Sequence, residues 1–117
     1  MISITLPIRT VSEANQREHW ARKATRVKRQ RTIARMACNL KLSHLDVSKT
    51  PLLVTLARVS PRKLDDDNLR GALKAVRDGV ADALGTDDGG HGRITWEYQQ
   101  WTGAASVTIQ VREVWVG

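Results

Sequence analysis

The stretch PLLVTLARVSPRKLDDDNLRGALKAVRDGVADALG, residues 51–85, decides the fold. Its first ten residues, Pro51–Ser60, are mostly apolar, rich in Leu and Val, and bounded by prolines at 51 and 61. Such a run reads as a buried strand. Further on, Leu69, Leu73, Val76, Val80 and Leu84 fall at offsets 0, +4, +7, +11 and +15. That is the 3.6-residue period of an amphipathic helix. The spacing predicts a helix over Asn68–Leu84, with Asp67 as N-cap and Gly85 just past its end. Three consecutive aspartates, Asp65, Asp66 and Asp67, stand between strand and helix.

Toward the N-terminus, residues 2–6 alternate, with Ile2, Ile4 and Leu6 on one side and Ser3 and Thr5 on the other. This predicts a half-buried strand, stopped by Pro7. A helical pattern starts at Glu13 after Ser12 as N-cap and extends to about His44, long enough to admit a break. Its apolar stripe runs through Trp20, Ala24, Val27, Ala34, Ala37 and Leu40. Met36 and Cys38 on this helix read as packing residues. Toward the C-terminus, Thr86–Gly92 is a polar loop carrying Asp87, Asp88 and His91. Residues 93–102 and 105–116 alternate as two strands, and their short connection predicts a hairpin. The order β-α-β-α-β-β predicts an α+β two-layer sandwich, two helices on one face of a small mixed sheet, as a single domain over residues 1–117. If its strands are parallel in one sheet, a β-α-β unit crosses over right-handed.

Composition bounds the function. There are 117 residues, with 19 Lys and Arg against 12 Asp and Glu, a net charge of +7. A basic chain of this kind points to a polyanionic partner, usually nucleic acid. No apolar run approaches the roughly 18 residues of a membrane span, and the first residues lack the pattern of a signal peptide. Cys38 is the only cysteine, which excludes an internal disulfide. The expectation is a cytoplasmic protein with no membrane partner.

The acidic cluster has two readings. An aspartate before a helix caps it, and acidic residues in the first turn suit the helix dipole. One aspartate suffices for a cap, however. On an extended segment Asp65 and Asp67 share a side, and with Asn68 they form a hard oxygen set suited to Mg²⁺ or Mn²⁺. Asp87 and Asp88 alone would read as a turn.

Taken together, these segments closely resemble the RusA-type Holliday junction resolvases and their phage-borne relatives. The resemblance runs over nearly the whole chain. It is carried by Lys63-Leu64-Asp65-Asp66-Asp67-Asn68-Leu69, the helix at 72–85, and Asp87-Asp88, with a weaker part at Ser12-Glu13-Ala14-Asn15, Arg17 and Trp20. It implies a Mg²⁺-dependent endonuclease of branched double-stranded DNA, a crossover junction endodeoxyribonuclease acting as a homodimer. Asp65 and Asp67 match the family's paired metal ligands, and Asp88, rather than Asp87, its third carboxylate. The family's lysine one turn after the second aspartate is Gly71 here, a departure. Lys74 and Arg70 are the cations positioned to stand in.

Helix length bears on assembly. A helix over Asn68–Leu84 is roughly 25 Å long, whereas Gly85–Asp88 spans at most about 14 Å. If the helix is unkinked at Gly79 and all three carboxylates serve one ion, Asp88 comes from a second subunit. The first helix adds a cationic surface, Arg17, Arg22, Lys23, Arg26, Lys28, Arg29, Arg31 and Arg35, opposed locally by Glu18 alone. These residues and Lys63 are expected to contact DNA phosphates. Trp20 and Trp96 are expected in the core, and Trp101 is a stacking or dimer-contact candidate. His91 is a weaker candidate for general base. The alternative is a catalytically impaired or non-enzymatic DNA-binding protein on the same fold.

Overall fold

Residues 1–11, 19–45, 50–85 and 93–114 are described by a computed structural model of the chain. Six elements follow one another: β1 (Ile2–Leu6), α1 (Trp20–Leu42), β2 (Leu52–Val59), α2 (Asp66–Ala83), β3 (Ile94–Trp101) and β4 (Ser106–Glu113). The two helices cover one face of a four-stranded mixed sheet, an α+β two-layer sandwich. None of the helices among the described residues is long and apolar enough to cross a membrane.

The strand order is β1-β4-β2-β3. β4 runs antiparallel to both β1 and β2, while β2 and β3 are parallel. The expected β3–β4 hairpin is therefore absent, because β2 lies between them. Val54, Leu56 and Ala57 of β2 are fully buried, and a strand so apolar on both sides takes the centre of a sheet. The connection from β3 to β4 crosses over its end. There the Ser60 amide donates to Trp101 O at 3.1 Å and the Gly103 amide donates to Ser60 O at 3.3 Å.

Register aligns the inward side chains in rows. One row is Ile2, Val111, Val54 and Trp96; the next is Ile4, Ile109, Leu56 and Tyr98. The third begins with Leu6 and Val107 but ends in two polar residues, Arg58 and Gln100.

α2 presents Leu69, Leu73, Val76 and Val80 to this face, all buried, with Leu84 packed at the core's margin. The helix starts two residues earlier than its period indicates: Asp65, not Asp67, is the N-cap. The end agrees with expectation, since Gly85 follows the Leu84 C-cap with φ 70°. The left-handed region favours glycine at this position.

α1 begins at Trp20 with His19 as its N-cap and runs unbroken to Leu42. Ser12 and Glu13, the expected start, lie outside the described residues. The buried stripe is Gln30, Ala34, Cys38 and Leu42. Trp20, Met36 and Leu40, expected as packing residues, are 76%, 58% and 83% exposed. α1 meets the rest of the molecule along one narrow line, and these side chains point off it. Burial pushes the Cys38 thiol up to about 11, which leaves it protonated at neutral pH.

The helices meet at Gly79, through which α2 continues without a break. A Cβ there would sit 2.3 Å from Arg31 O and 2.8 Å from Ala34 Cβ. Gly71, one face away, has nothing within 4 Å of that position. The same substitution should thus act in opposite directions. Gly79→Ala should cost about 1–3 kcal/mol from overpacking, whereas Gly71→Ala should gain about 0.5–1 kcal/mol of helix propensity. Urea unfolding of both variants measures the contrast.

Candidate functional site

The acidic segment stands on a loop held from below. Arg58 Nη1 donates to Arg62 O at 2.7 Å. Gln100, its register neighbour on β3, clamps Leu64 from both sides: its Nε2 donates to Leu64 O at 2.7 Å and its Oε1 accepts from the Leu64 amide at 2.8 Å. The polar ends of the third row thus fix the backbone leading into Asp65. Asp65 then closes the start of α2. Its Oδ1 accepts from the Asn68 amide at 2.8 Å and its Oδ2 from Asn68 Nδ2 at 3.0 Å. Asp65, Asp66 and Asp67 are all exposed.

Each Asp65 oxygen accepts one hydrogen bond, and a carboxylate oxygen has a second lone pair. Capping therefore orients Asp65 without exhausting its capacity to bind a cation. The donors in this segment are carboxylate and amide oxygens, which suit Mg²⁺ or Mn²⁺. Among the described residues, no group of three or more His, Cys, Asp or Glu side chains is arranged to hold a metal ion. Asp87, Asp88 and His91 lie outside the described residues. α2 has 18 residues, so its caps Asp65 and Leu84 stand at opposite ends of a helix about 27 Å long.

The two cations expected to stand in for the family lysine have other partners. Lys74 Nζ bonds Asp78 Oδ2 at 3.0 Å, one turn further from the acidic segment. The Arg70 guanidinium lies over the Tyr98 ring, 5.4 Å from its centroid. Arg77 repeats this a turn or two along: it stacks on Trp96 at 4.6 Å and donates to Tyr98 Oη at 2.7 Å. Trp96 is accordingly packed against the core margin, as expected. Trp101 is 38% exposed, with Nε1 donating to Gln99 Oε1 at 3.1 Å.

The basic face of α1 is partly neutralised, by acids the local sequence does not show. Arg31 Nε and Nη2 donate to the two Asp82 oxygens of α2 at 2.7 and 2.9 Å. Arg31, expected on DNA, is thus an inter-helix ion pair. Arg22, Arg26 and Arg29 instead line an open cleft of about 640 Å³ together with Arg9, floored by Ile8 and Ile33. Lys23, Lys28 and Lys63 are exposed. Arg17 lies outside the described residues.

Four residues that shape this region escape a reading by pattern: Arg9, Thr10, Arg58 and Gln100. Only Arg58 leaves a signal, an arginine at an inward position of an otherwise apolar strand.

No family model matches the chain. It is 37% identical over 93 residues, 75% of its length, to an uncharacterized protein of Xylella fastidiosa. The matched region is 61% of that protein, so the chain spans less than two thirds of this relative.

Hydrogen bonding to Arg31 holds the Asp82 carboxyl below the ordinary range. A depressed folded-state pKa stabilises above the unfolded value of about 3.9 and is lost as pH falls through the folded value. The pair is half exposed on one side and a third on the other, which limits it to about 1 kcal/mol or less. Asp82→Asn should therefore be less stable than the parent near neutral pH. The two should converge in strong acid, as denaturation across pH would show.

Proposed function

We propose that the protein is a metal-dependent endonuclease of branched double-stranded DNA, acting as a homodimer in the manner of the RusA-type resolvases. The observation that carries this reading is the placement of Asp65 and Asp67. Asp65 is the exposed N-cap of α2, after a loop clamped by Arg58 and Gln100, and Asp67 is exposed in the helix's first turn rather than on the extended segment the sequence suggested, in a chain of net charge +7. Asp65 caps the helix yet keeps a second lone pair on each oxygen, and Asp67 supplies a second carboxylate beside it, so the segment has hard oxygen donors for a cation that would join it to a phosphate.

Asp65 and Asp67 would hold Mg²⁺ or Mn²⁺, with Asp88, or less favourably Asp87, as third carboxylate. A divalent ion there supplies Lewis-acid polarisation of a phosphodiester and acidifies its bound water. The chain's own residues do the rest. Asn68 fixes the Asp65 carboxylate, and the loop clamp fixes the spacing of Asp65 from the strand. The cleft arginines Arg22, Arg26 and Arg29, with Lys23, Lys28 and Lys63, hold the DNA backbone without reading bases. Because α2 is unbroken, Asp88, three residues past Gly85, cannot reach Asp65 of its own chain: three residues span about 11 Å against a helix of about 27 Å. A two-fold dimer brings the end of one α2 to the head of the other and forms two equivalent sites.

A second reading, a DNA-binding protein with impaired or no catalysis, is favoured by one set of contacts. Gly71 replaces the family lysine, and both stand-ins are engaged, Lys74 with Asp78 and Arg70 with Tyr98.

The test is cleavage of a synthetic four-way junction. Cutting should require Mg²⁺ or Mn²⁺ and fall at least about 100-fold in Asp65→Asn and Asp67→Asn. Asn caps a helix as well as Asp and keeps the bond from the Asn68 amide, giving up only the exposed bond from Asn68 Nδ2, so the loss of cleavage in Asp65→Asn should far exceed any loss of stability. Gly71→Lys has room for its side chain and should raise the rate. Salt-sensitive junction binding with no cleavage in either metal, in both the parent and Gly71→Lys, would overturn the nuclease reading in favour of the second.

A further inference from the structure

Beside the acidic segment lies a second cleft, of about 610 Å³, bounded by the chain after β1 and the end of β2. Arg9 and Thr10 come from the first, Arg58 and Arg62 from the second. Among the described residues its lining contains three arginines and no Asp or Glu.

Arg58 is the unusual member. It is only 7% exposed, yet among the described residues no carboxylate pairs with it. Its two hydrogen bonds go to neutral acceptors, Nε to Thr10 Oγ1 at 2.8 Å and Nη1 to Arg62 O at 2.7 Å. Among the described residues Nη2 makes no hydrogen bond, and it is not among the buried polar atoms without a partner; Arg58 is one of the residues that line the cleft. Burial without a counter-charge lowers the Arg58 pKa. Charged groups so placed normally have a partner of opposite sign. A purely structural role does not need the charge. Gln100, beside it in the same row, clamps Leu64 with a neutral amide.

We propose that this cleft is a phosphate subsite, which seats a phosphodiester of the DNA backbone next to the acidic segment. The proposal rests on the DNA-binding part of the function above for the source of the phosphate. Thr10 and the Arg62 carbonyl lock the guanidinium plane, and its remaining face meets the anion. Arg9 and Arg62 supply flanking charge, and arginine's planar fork suits phosphate oxygens. Arg9 also lines the cleft of Arg22, Arg26 and Arg29. The two clefts therefore adjoin, and a polymer with regularly spaced phosphates fills both where a free phosphate fills one. Arg62 stands three residues before Asp65, so a strand seated here passes the carboxylates.

The experiment is run in EDTA, so that it is independent of metal and of cleavage. The Nε–Hε signal of Arg58 is followed by NMR in the intact protein during titration with inorganic phosphate and, separately, with a short four-way junction. Junction affinity is measured for Arg9→Ala and Arg62→Ala across salt concentrations. The Arg58 signal should move with both ligands. Each variant should bind the junction about 5–10-fold more weakly and lower the salt slope by about 1. Junction binding with an unmoved Arg58 signal and unchanged affinities in both variants would overturn the subsite and leave DNA binding standing. A shift with phosphate alone, while the junction binds elsewhere, would also overturn it, as a free-anion site. Failure of the parent protein to bind the junction at all would remove the DNA reading itself.

Discussion

The contact of α1 with α2 at Gly79 is the constraint on which the molecule turns. The two backbones approach so closely that a methyl group at Gly79 would overlap the Arg31 carbonyl. Around it lie small side chains, Ala34 and Cys38 from α1 and Ala75 and Val76 from α2, all buried. This close seam lets both helices share one face of a narrow sheet. It also gives Gly79 a packing role in a continuous helix, where an isolated glycine could have marked a break. An unbroken α2 of 18 residues is about 27 Å long, and the proposed division of the site between subunits follows from that length.

What the sequence made legible, and what it hid, has a physical pattern. The period of Leu69, Leu73, Val76 and Val80 identified α2 and its buried face, because a helix packed on one side must repeat every 3.6 residues. Gly85 marked its end for an equally local reason. The β3–β4 pairing was misread because a short connection between alternating strands says only that they are close. It does not reveal that β2, apolar on both sides, is inserted between them. On α1 the apolar residues were sound evidence for a helix but not for its buried side. Its contact line is set by the small residues that α2 admits, not by Trp20 or Leu40.

The site was legible in part. The acidic motif and the basic helix stand out by composition. The tertiary partners of individual charges do not. Asp82 reaches Arg31 from 51 residues away, and Asp78 holds Lys74, so local counts of charge overstate the positive surface that the fold presents. The loop clamp shows the same limit. Arg58 and Gln100 are 42 residues apart in sequence and act together only because β2 and β3 pair in parallel with that register. Their bonds to Arg62 and Leu64 join the polar edge of the core to the acidic segment, and thereby couple folding to the geometry of the proposed metal site.

The division of the site between two chains can be tested by complementation. Chains carrying Asp67→Asn and chains carrying Asp88→Asn are each expected to be inactive on a four-way junction. Unfolded together and refolded as a mixture, they should regain Mg²⁺-dependent cleavage at roughly a quarter of the parent level, because half the dimers are mixed and each mixed dimer has one intact site. An equal mixture that forms mixed dimers yet stays inactive, or a parent protein that cuts as a monomer, would contradict a site shared between subunits.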